Sequence, residues 1–269
     1  MWGEPLEYGR LSWPEVRRAV AEERVPIVPI GTLEDHGHHL PIDTDVRIVE
    51  AICREAATRL AQETVLLPAV VHGYSPHHMD FPGTVTIGWD TFCRYCTDIS
   101  TSLLRHGFRR VLLVNGHGSN QNLVEMAARL AMVEHPETLV GACFYLTGPE
   151  SKRTIEAVRD SDRGGMAHAC ELETSLYLHI DEAAVDMSQA VDERGYPDTE
   201  HAWLDWSDGA LKVMPAWSSF TDSGVQGDAT KATVDKGKVL FDAAADEIGS
   251  FVRELRATEL PQRRDHHGT

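Results

Sequence analysis

Residues 28–45 concentrate acidic and histidine side chains directly after an apolar run. The segment holds four acids and three histidines, in the order Glu34, Asp35, His36, His38, His39, Asp43 and Asp45. Glu34 and His36 are two residues apart, so in an extended segment their side chains leave the same face of the chain. A Leu-Pro turn can bring Asp43 and Asp45 back toward that face. Carboxylates and imidazoles together suit zinc, manganese or iron(II).

For a single histidine or acid in this segment, a polar surface loop with helix-capping acids is the simpler interpretation. The density of ligand types directly after a predicted strand favours a metal site. Of His38 and His39, one is expected to orient a ligand or to face solvent. For His77 and His78, which lie in a turn-rich loop, we expect positions at the surface or behind the ligands rather than metal ligation.

Further candidate ligands lie later in the chain. His117 follows another apolar run, and Glu171 or Glu173 can supply a fifth ligand besides Glu34, His36, Asp45 and His117. Five ligands exceed what one catalytic zinc with an open position takes, so they suit two metals that share a carboxylate and a bridging hydroxide. Two metals can activate water, polarise a carbonyl and stabilise an oxyanion. His168 is the candidate for protonating a leaving nitrogen, or else a helix-start residue bonded to backbone.

The elements that must position these residues alternate along the chain. Apolar runs at 26–31, 65–71, 110–115 and 138–146 predict strands, although two prolines in the first run argue against sheet pairing. Helices are predicted at 12–23, from Asp45 onward, at 90–106, up to about 135, at 151–160, within 166–178 from near Cys170, and up to about 257. Residues 185–222 are predicted to be irregular.

This alternation predicts an α/β fold around a mostly parallel sheet, in one domain spanning residues 1–269 with a frayed tail over 260–269. Glu34 and His117 lie just past strand ends, where ligands bind in such folds. Asp228 is expected to cap the last helix. Gly116 and Gly118 match the dinucleotide fingerprint poorly, because the third glycine and the later acid are missing.

Composition excludes several classes of function. Forty-two acids against 25 bases give a formal charge of -17, which argues against binding to nucleic acid or to an anionic membrane. Neither a membrane-spanning run nor the pattern of a signal peptide is visible, so a cytoplasmic location is expected. Cys93 and Cys96 form one Cys-x-x-Cys pair within an amphipathic helix, and we interpret them as buried or half-buried thiols.

The blocks that carry these residues resemble the creatininase (creatinine amidohydrolase) family. Residues 34–45, Glu-Asp-His-Gly-His-His-Leu-Pro-Ile-Asp-Thr-Asp, match its Glu-x-His-Gly-x-His-Leu-Pro…Asp signature. The match continues through Phe81-Pro-Gly-Thr84, Asn115-Gly-His117-Gly-x-Asn120, His168-x-x-x-x-Glu173-Thr-Ser175 and Gly227-Asp228 with Ala232-Thr233. These blocks span most of the chain in the family's order.

The resemblance implies a three-layer α/β/α fold, a homo-oligomer that is commonly a hexamer, and two divalent metals per subunit. Glu34 and His117 would bind one metal, His36 the other, and Asp45 would bridge them, while His168 falls on the catalytic histidine. Creatininase has a metal-binding glutamate where this chain has Ser119. The second metal then needs another carboxylate, for which Glu173 (or Glu171) is available, so Glu173 joins His168 among the residues expected to act in catalysis.

The same resemblance indicates the reaction better than the substrate. The regions in which creatininase closes tryptophans over creatinine read Phe144-Tyr145-Leu146 and Arg163 to His168 here, without tryptophan. We therefore expect a metal-dependent amidohydrolase that cleaves the C–N bond of a small non-peptide amide, cyclic amide or formamide, with metal-bound hydroxide as the nucleophile. The alternatives are creatinine hydrolysis with a clamp from Trp203, Trp206 or Trp217, cleavage of a mycofactocin precursor peptide as in another branch, and a non-catalytic metal-binding protein.

Overall fold

The computed structural model of the chain describes residues 4–207 and 209–267. The α-helices in these ranges are α1 (Trp13–Ala21), α2 (Thr44–Arg59), α3 (Trp89–Arg105), α4 (Gln121–Glu134), α5 (Pro149–Val158), α6 (Glu171–Asp181) and α7 (Val234–Ala257). The strands are β1 (Val25–Ile30), β2 (Thr64–Leu66), β3 (Arg110–Asn115), β4 (Leu139–Phe144), β5 (Met166–His168), β6 (Asp192–Glu193) and β7 (Gln226–Asp228). Of the helices just named, none has the length and hydropathy needed to cross a membrane.

A four-stranded sheet with the order β2-β1-β3-β4 forms the centre of the fold, and every neighbouring pair is parallel. This confirms the predicted α/β class with a mostly parallel sheet. The second strand is shorter than the predicted 65–71. It ends at Leu66, shortly before Pro68, which has no backbone N–H to donate, and only an isolated bridge from Val70 to Ile30 follows.

Neighbouring residues in the central strands face opposite layers of helices, because strand side chains alternate between the two faces. Ile27 and Leu112 pack into one apolar core with α2, α5, α6 and α7. Val28 and Leu113 pack into a second core with α3 and α4. Both sheet faces are thereby buried, which explains the almost wholly apolar strands and gives the three-layer α/β/α arrangement.

Each of the two prolines of β1 lies just outside the pairing with one of the two neighbouring strands. Pro26 precedes the first residue pair with β3, Ile27 with Leu112. Pro29 follows the last residue pair with β2, Ile27 with Leu66. The missing N–H groups therefore remove little of the sheet, and the prolines do not exclude β1 from its central position.

A small antiparallel sheet with the order β5-β7-β6 was not predicted, and it corrects two assignments. Residues 166–168, which we included in a helical stretch, form β5, and α6 begins only at Glu171. Asp228 ends β7 and caps the short turn at 229–231, whereas Thr233 caps α7 by accepting a hydrogen bond from the N–H of Lys236. Residues 261–267 contain no helix or strand.

Candidate metal centre

Glycines directly after β1 and β3 let the start of α2 approach the carboxyl ends of both strands. A Cβ atom on Gly31 would lie 2.7 Å from the Cα atom of Val46, and one on Gly116 would lie 3.0 Å from the carbonyl oxygen of Asp45. Only glycine tolerates so close a backbone approach. The side chain of Asp45, in the first turn of α2, therefore reaches the rim at which the chain leaves β1 and β3.

Glu34, Asp45 and His117 form the first candidate ligand group. Nδ1 of His117 lies 3.1 Å from Oε1 of Glu34 and 3.2 Å from Oδ2 of Asp45. The other oxygen of Glu34 accepts a short hydrogen bond from the hydroxyl of Ser75, which fixes the carboxylate. All three ligand candidates are buried, so a bound ion would be shielded from bulk water.

His36, Asp45 and Glu173 form a second group, which shares Asp45 with the first. Nε2 of His36 lies 3.3 Å from Oδ1 of Asp45. Glu173 stands in the first turn of α6, where its Oε2 atom accepts a 2.5 Å hydrogen bond from the N–H of Ala169. The two oxygens of Asp45 thus face different groups, an arrangement suited to a carboxylate that two metal ions share.

Glu171 lies apart from both groups, although it too stands in the first turn of α6. Its carboxylate accepts backbone N–H bonds of 2.9 Å from Asp160 and from Ser161, and it pairs with the ammonium of Lys236 at 2.5 Å. These contacts give Glu171 the role of a buried link between α6, α7 and the end of α5. Of the two glutamates that the sequence left open, Glu173 is the one beside His36 and Asp45.

Several buried polar atoms of the two groups have no hydrogen-bond partner. They are Oε1 of Glu34, Nε2 of His36, Oδ2 of Asp45 and Nε2 of His117. Buried polar atoms without partners are rare in folded proteins. The carboxylates and imidazoles, whose nearest oxygen and nitrogen atoms are 3.1 to 3.3 Å apart, therefore form a set of ligands that fits divalent cations such as zinc, manganese or iron(II).

Burial and mutual charge shift the pKa values of these side chains strongly. Burial would raise the pKa of Glu34, but the neighbouring imidazoles, above all His117, outweigh it and hold this pKa well below 4.5. Burial opposes a charge on His36, yet Asp45 raises the pKa of this imidazole to about 10. Burial raises the pKa of Glu173 to about 7, against the attraction of His36. Such shifts are typical of functional sites.

His168, the candidate proton donor, ends β5 beside the metal-ligand cluster, by which we mean the two ligand groups that share Asp45. Its Nε2 atom lies 2.8 Å from the carbonyl oxygen of Asp35, and its Nδ1 atom lies 3.6 Å from Oε1 of Glu34. One ring nitrogen therefore makes the bond to backbone that was the alternative prediction for His168, while the other ring nitrogen faces the cluster. Burial lowers the pKa of His168 well below 6.5, and the charge on His36 adds to the effect.

His78 is closer to the centre than its sequence suggested. It is buried, its Nδ1 atom makes a short hydrogen bond with the carboxylate of Asp35, and its Nε2 atom lies 3.9 Å from Oε1 of Glu34. The Phe81–Thr84 block explains how its loop reaches the site. The hydroxyl of Thr84 accepts a hydrogen bond of 3.1 Å from the N–H of Asp35, which joins this loop to the 34–45 segment.

Of the remaining histidines, His77 is half-buried and contacts the hydroxyl of Ser119 at 3.3 Å. His38 is exposed, as expected for one of the pair at 38–39. Nε2 of His39 lies 2.9 Å from the hydroxyl of Thr174, next to Glu173. His39 therefore helps to hold the start of α6 against the 34–45 segment.

Comparison with known proteins identifies the family of this chain. A family model named Creatininase, with the description creatinine amidohydrolase, matches residues 9–252. The chain belongs to the creatininase family.

Characterised relatives within the creatininase family differ in what they act on. A mycofactocin precursor peptide peptidase of Mycobacterium tuberculosis is 29% identical over 235 residues, covering 82% of this chain and 81% of that protein. The creatinine amidohydrolase of Pseudomonas putida is 28% identical over 260 residues, covering 91% and 95%. A 3-dehydro-scyllo-inosose hydrolase of Thermotoga maritima is 25% identical, covering 91% and 82%. These family members are all hydrolases.

Solved creatininase structures have the same fold. A crystal structure of creatinine amidohydrolase superimposes with a TM-score of 0.81 at 26% identity, covering 95% of this chain and all of that one. A manganese form of creatininase and a zinc–zinc form of a creatininase variant each give a TM-score of 0.81 at 25% identity. Two different divalent metals therefore occur in structures of this family.

In this creatininase-family chain, three of the five candidate ligands form the floor of an open cavity of about 1150 Å³. Asp45, His117 and Glu173 line it, together with His77, His78 and His168. Glu34 and His36 lie behind this lining. A molecule bound in the cavity would therefore contact the cluster next to His77, His78 and His168.

Trp217 forms an aromatic wall of this cavity. Its indole stacks on His78 with 4.6 Å between ring centroids and meets His168 edge-on at 5.2 Å. The indole N–H donates a 2.8 Å hydrogen bond to the carbonyl oxygen of Gly224, which fixes the ring. Trp206 also lines the cavity, whereas Trp203 contacts the guanidinium of Arg163. The segment 185–222 thus places Trp217 beside the cluster. No sequence pattern predicts this contact.

Proposed function

We propose that this protein is a divalent-metal-dependent amidohydrolase that holds two ions per subunit and cleaves the C–N bond of a small amide, cyclic amide or formamide. The observation that carries the proposal is the pair of buried ligand groups that share Asp45 at the floor of the cavity. Family membership supports hydrolysis as the reaction type.

Glu34, Asp45 and His117 would hold one ion, and His36, Asp45 and Glu173 the other. Bound there, two such ions supply activation of water and polarisation of the scissile carbonyl. Oxygen and nitrogen ligands of this kind accept zinc, manganese and iron(II), and the manganese and zinc forms of solved creatininases support the first two.

His168 is the residue that we assign to proton transfer. Its Nε2 atom must carry a hydrogen, because its partner, the carbonyl oxygen of Asp35, can only accept. The lone pair of Nδ1 then faces the cluster. Since the pKa of His168 is held well below 6.5, the ring is neutral at pH 7 and can take a proton at Nδ1 from the attacking water. The same atom can deliver that proton to the leaving nitrogen.

Creatinine hydrolysis is the second candidate activity, and Trp217 favours it. Residues near 146 and at 163–168 include no tryptophan, which argued against aromatic side chains closing over the planar ring of creatinine. Trp217 supplies an aromatic face beside His78 and His168 from another part of the chain. The similarity to a peptide peptidase makes a short peptide a necessary member of any substrate panel.

We also propose that the protein acts as a homo-oligomer, as the resemblance to creatininase implies, up to a hexamer. Light scattering on a size-exclusion column measures this state. A monomer at micromolar concentration would contradict it.

The test of the proposed function is turnover by protein that has been stripped of metal and reloaded with manganese, zinc or iron(II). Creatinine, an N-formyl arylamine and a short peptide are offered, and products are identified by mass spectrometry. We expect metal-dependent release of creatine or formate, and loss of it in Glu34→Gln. Equal turnover by the metal-free protein would exclude the mechanism. Stoichiometric metal without turnover of any amide would favour a metal-binding protein that is not an enzyme.

A further inference from the structure

Two histidines outside the two ligand groups that share Asp45 present ring nitrogens to the cavity, and both also belong to a further candidate group with Asp35. His78 and His168 both line it, and their ring centroids are 4.5 Å apart. Nε2 of His78 lies 3.9 Å from Oε1 of Glu34, too far for a hydrogen bond, and Nδ1 of His168 lies 3.6 Å from the same oxygen. Both nitrogens therefore remain available beside the reacting centre.

The partners on the far side of each ring determine where its hydrogen sits. Nε2 of His168 donates to a carbonyl oxygen, as described above, so its Nδ1 carries a lone pair. Nδ1 of His78 bonds to the carboxylate of Asp35, which accepts, so this nitrogen carries the hydrogen, and in the neutral ring Nε2 carries the lone pair. Two hydrogen-bond acceptors thus stand side by side at the floor of the cavity.

The ring of His78 is held in place from two directions. Asp35 bonds to its edge, and Trp217 stacks on its face at 4.6 Å with an angle of 29° between the planes. The segment that carries Trp217 is tied to the His78 loop by a short hydrogen bond from the hydroxyl of Ser218 to Asp80. A ring fixed in this way can discriminate between substrates, because it cannot turn to offer a donor instead of an acceptor.

We propose that Nε2 of His78 accepts a hydrogen bond from an N–H group of the substrate, and that the enzyme therefore selects primary and secondary amides over tertiary ones. The proposal rests on the proposed function, since it assumes that the amide is bound at the metal centre. His78 is a substrate-binding residue in this account, whereas His168 moves the proton. Asp35 and Trp217 act through His78 and are positioning residues.

Two hydroxamates test this assignment without requiring a known substrate. Acetohydroxamic acid and N-methylacetohydroxamic acid both chelate divalent metals through two oxygens, but only the first has an N–H. Calorimetry on the zinc-loaded protein measures the affinity of each. We expect acetohydroxamic acid to bind about 10-fold more tightly, the size of one well-placed hydrogen bond, in addition to any difference that the two compounds show for free zinc.

Variants of His78 isolate its contribution. His78→Phe keeps a ring against Trp217 but has no acceptor, so the 10-fold preference should disappear while both zinc ions are retained. His78→Asn keeps an acceptor oxygen and should restore part of the preference, and it also serves if the phenylalanine variant does not fold. Trp206→Phe, which alters the same cavity, is the matched control and should keep the preference.

The possible outcomes separate this inference from the proposed function. An unchanged preference in both His78 variants would refute the role of His78 and leave the metal centre intact. Loss of a zinc ion from His78→Phe, measured by elemental analysis, would make His78 a metal ligand and would also refute it. If neither hydroxamate binds to the zinc-loaded protein, the proposed function fails and this inference fails with it.

Discussion

Oδ2 of Asp45 lies 3.2 Å from Nδ1 of His117, although the two residues belong to different junctions between strand and helix. Asp45 lies in the first turn of α2 after β1, and His117 precedes α4 after β3. Because β1 and β3 are parallel neighbours, both junctions open at the same end of the sheet. Because Gly31 and Gly116 have no side chain, α2 packs close to both junctions, and Asp45 comes within reach of His117.

Asp45→Asn should reduce the metal content more than any other single ligand variant, because Asp45 belongs to both ligand groups. Loss of a residue that merely supports a ligand lowers metal affinity about 10- to 100-fold, so loss of a shared ligand should exceed that range. Elemental analysis after dialysis against dilute zinc should find close to two ions in the wild type. The variant should hold less than one, and His38→Ala, at an exposed neighbouring position, should match the wild type. Two tightly held ions in Asp45→Asn would rule out a shared carboxylate.

The two glutamates of α6 should respond oppositely to substitution. Glu173→Gln should lose one ion, yet its metal-free form should be about as stable as the metal-free wild type, because the substitution removes a buried carboxylate whose pKa is already raised to about 7. Glu171→Gln should keep both ions but lose about 3 kcal/mol of stability, because Lys236 then loses its buried carboxylate partner and keeps only the exposed carboxylate of Asp160. Urea unfolding of the chelated proteins measures stability, and elemental analysis of the zinc-loaded proteins measures metal content. The reverse pattern would assign the second ligand to Glu171.

The sequence predicted the parts of this site that depend on local order along the chain. Glu34 and His117 directly follow apolar strands, so their position at one rim followed from the parallel sheet. The choice between Glu171 and Glu173 could not be made, because both stand in the first turn of one helix. Lys236 on α7 decides between the two glutamates, because it pairs with Glu171, and this contact exists only when α6 and α7 are packed together.

The contributions of His78 and Trp217 depend on packing that no local pattern records. Residues 185–222 have little regular structure, so no periodicity indicates which way Trp217 points. Its position follows from the stack on His78 and the bond to Gly224. Likewise β5 and β7 have three residues each and pair across a long stretch of chain, so their strand character arises from the pairing itself.

Removal of metal should destabilise the folded protein. The cluster then retains Glu34, Asp45 and Glu173 as buried acids without the cations that offset their charge. A metal present at 1,000 times its dissociation constant stabilises a fold by about 4 kcal/mol per site, which corresponds to roughly 10 °C in Tm for a chain of this size. Calorimetry with and without a chelator measures the shift. Asp45→Asn should show a much smaller shift, and an equal Tm for wild type with and without chelator would argue against bound metal.

His39 should make the metal-free protein sensitive to mild acid. Burial, with charges on His36 and His38, lowers the pKa of His39 from 6.5 to about 4. The unfolded chain therefore takes up a proton near pH 6.5, while the folded protein does so only near pH 4. The contribution of His39 to stability is thus fully present above pH 6.5 and is lost as the pH falls from 6.5 to 4, by at most about 3 kcal/mol.

His39→Gln should remove this part of the pH dependence, since glutamine does not titrate and can still bond to the hydroxyl of Thr174. Urea unfolding of chelated protein at pH 7, 5.5 and 4.5 gives the difference in unfolding free energy between wild type and variant. That difference should shift in favour of the variant as the pH falls, because every other titrating group is common to both proteins. His38→Gln, changed at the exposed neighbour, should parallel the wild type. Parallel curves for His39→Gln and wild type would mean that His39 is readily protonated in the folded state.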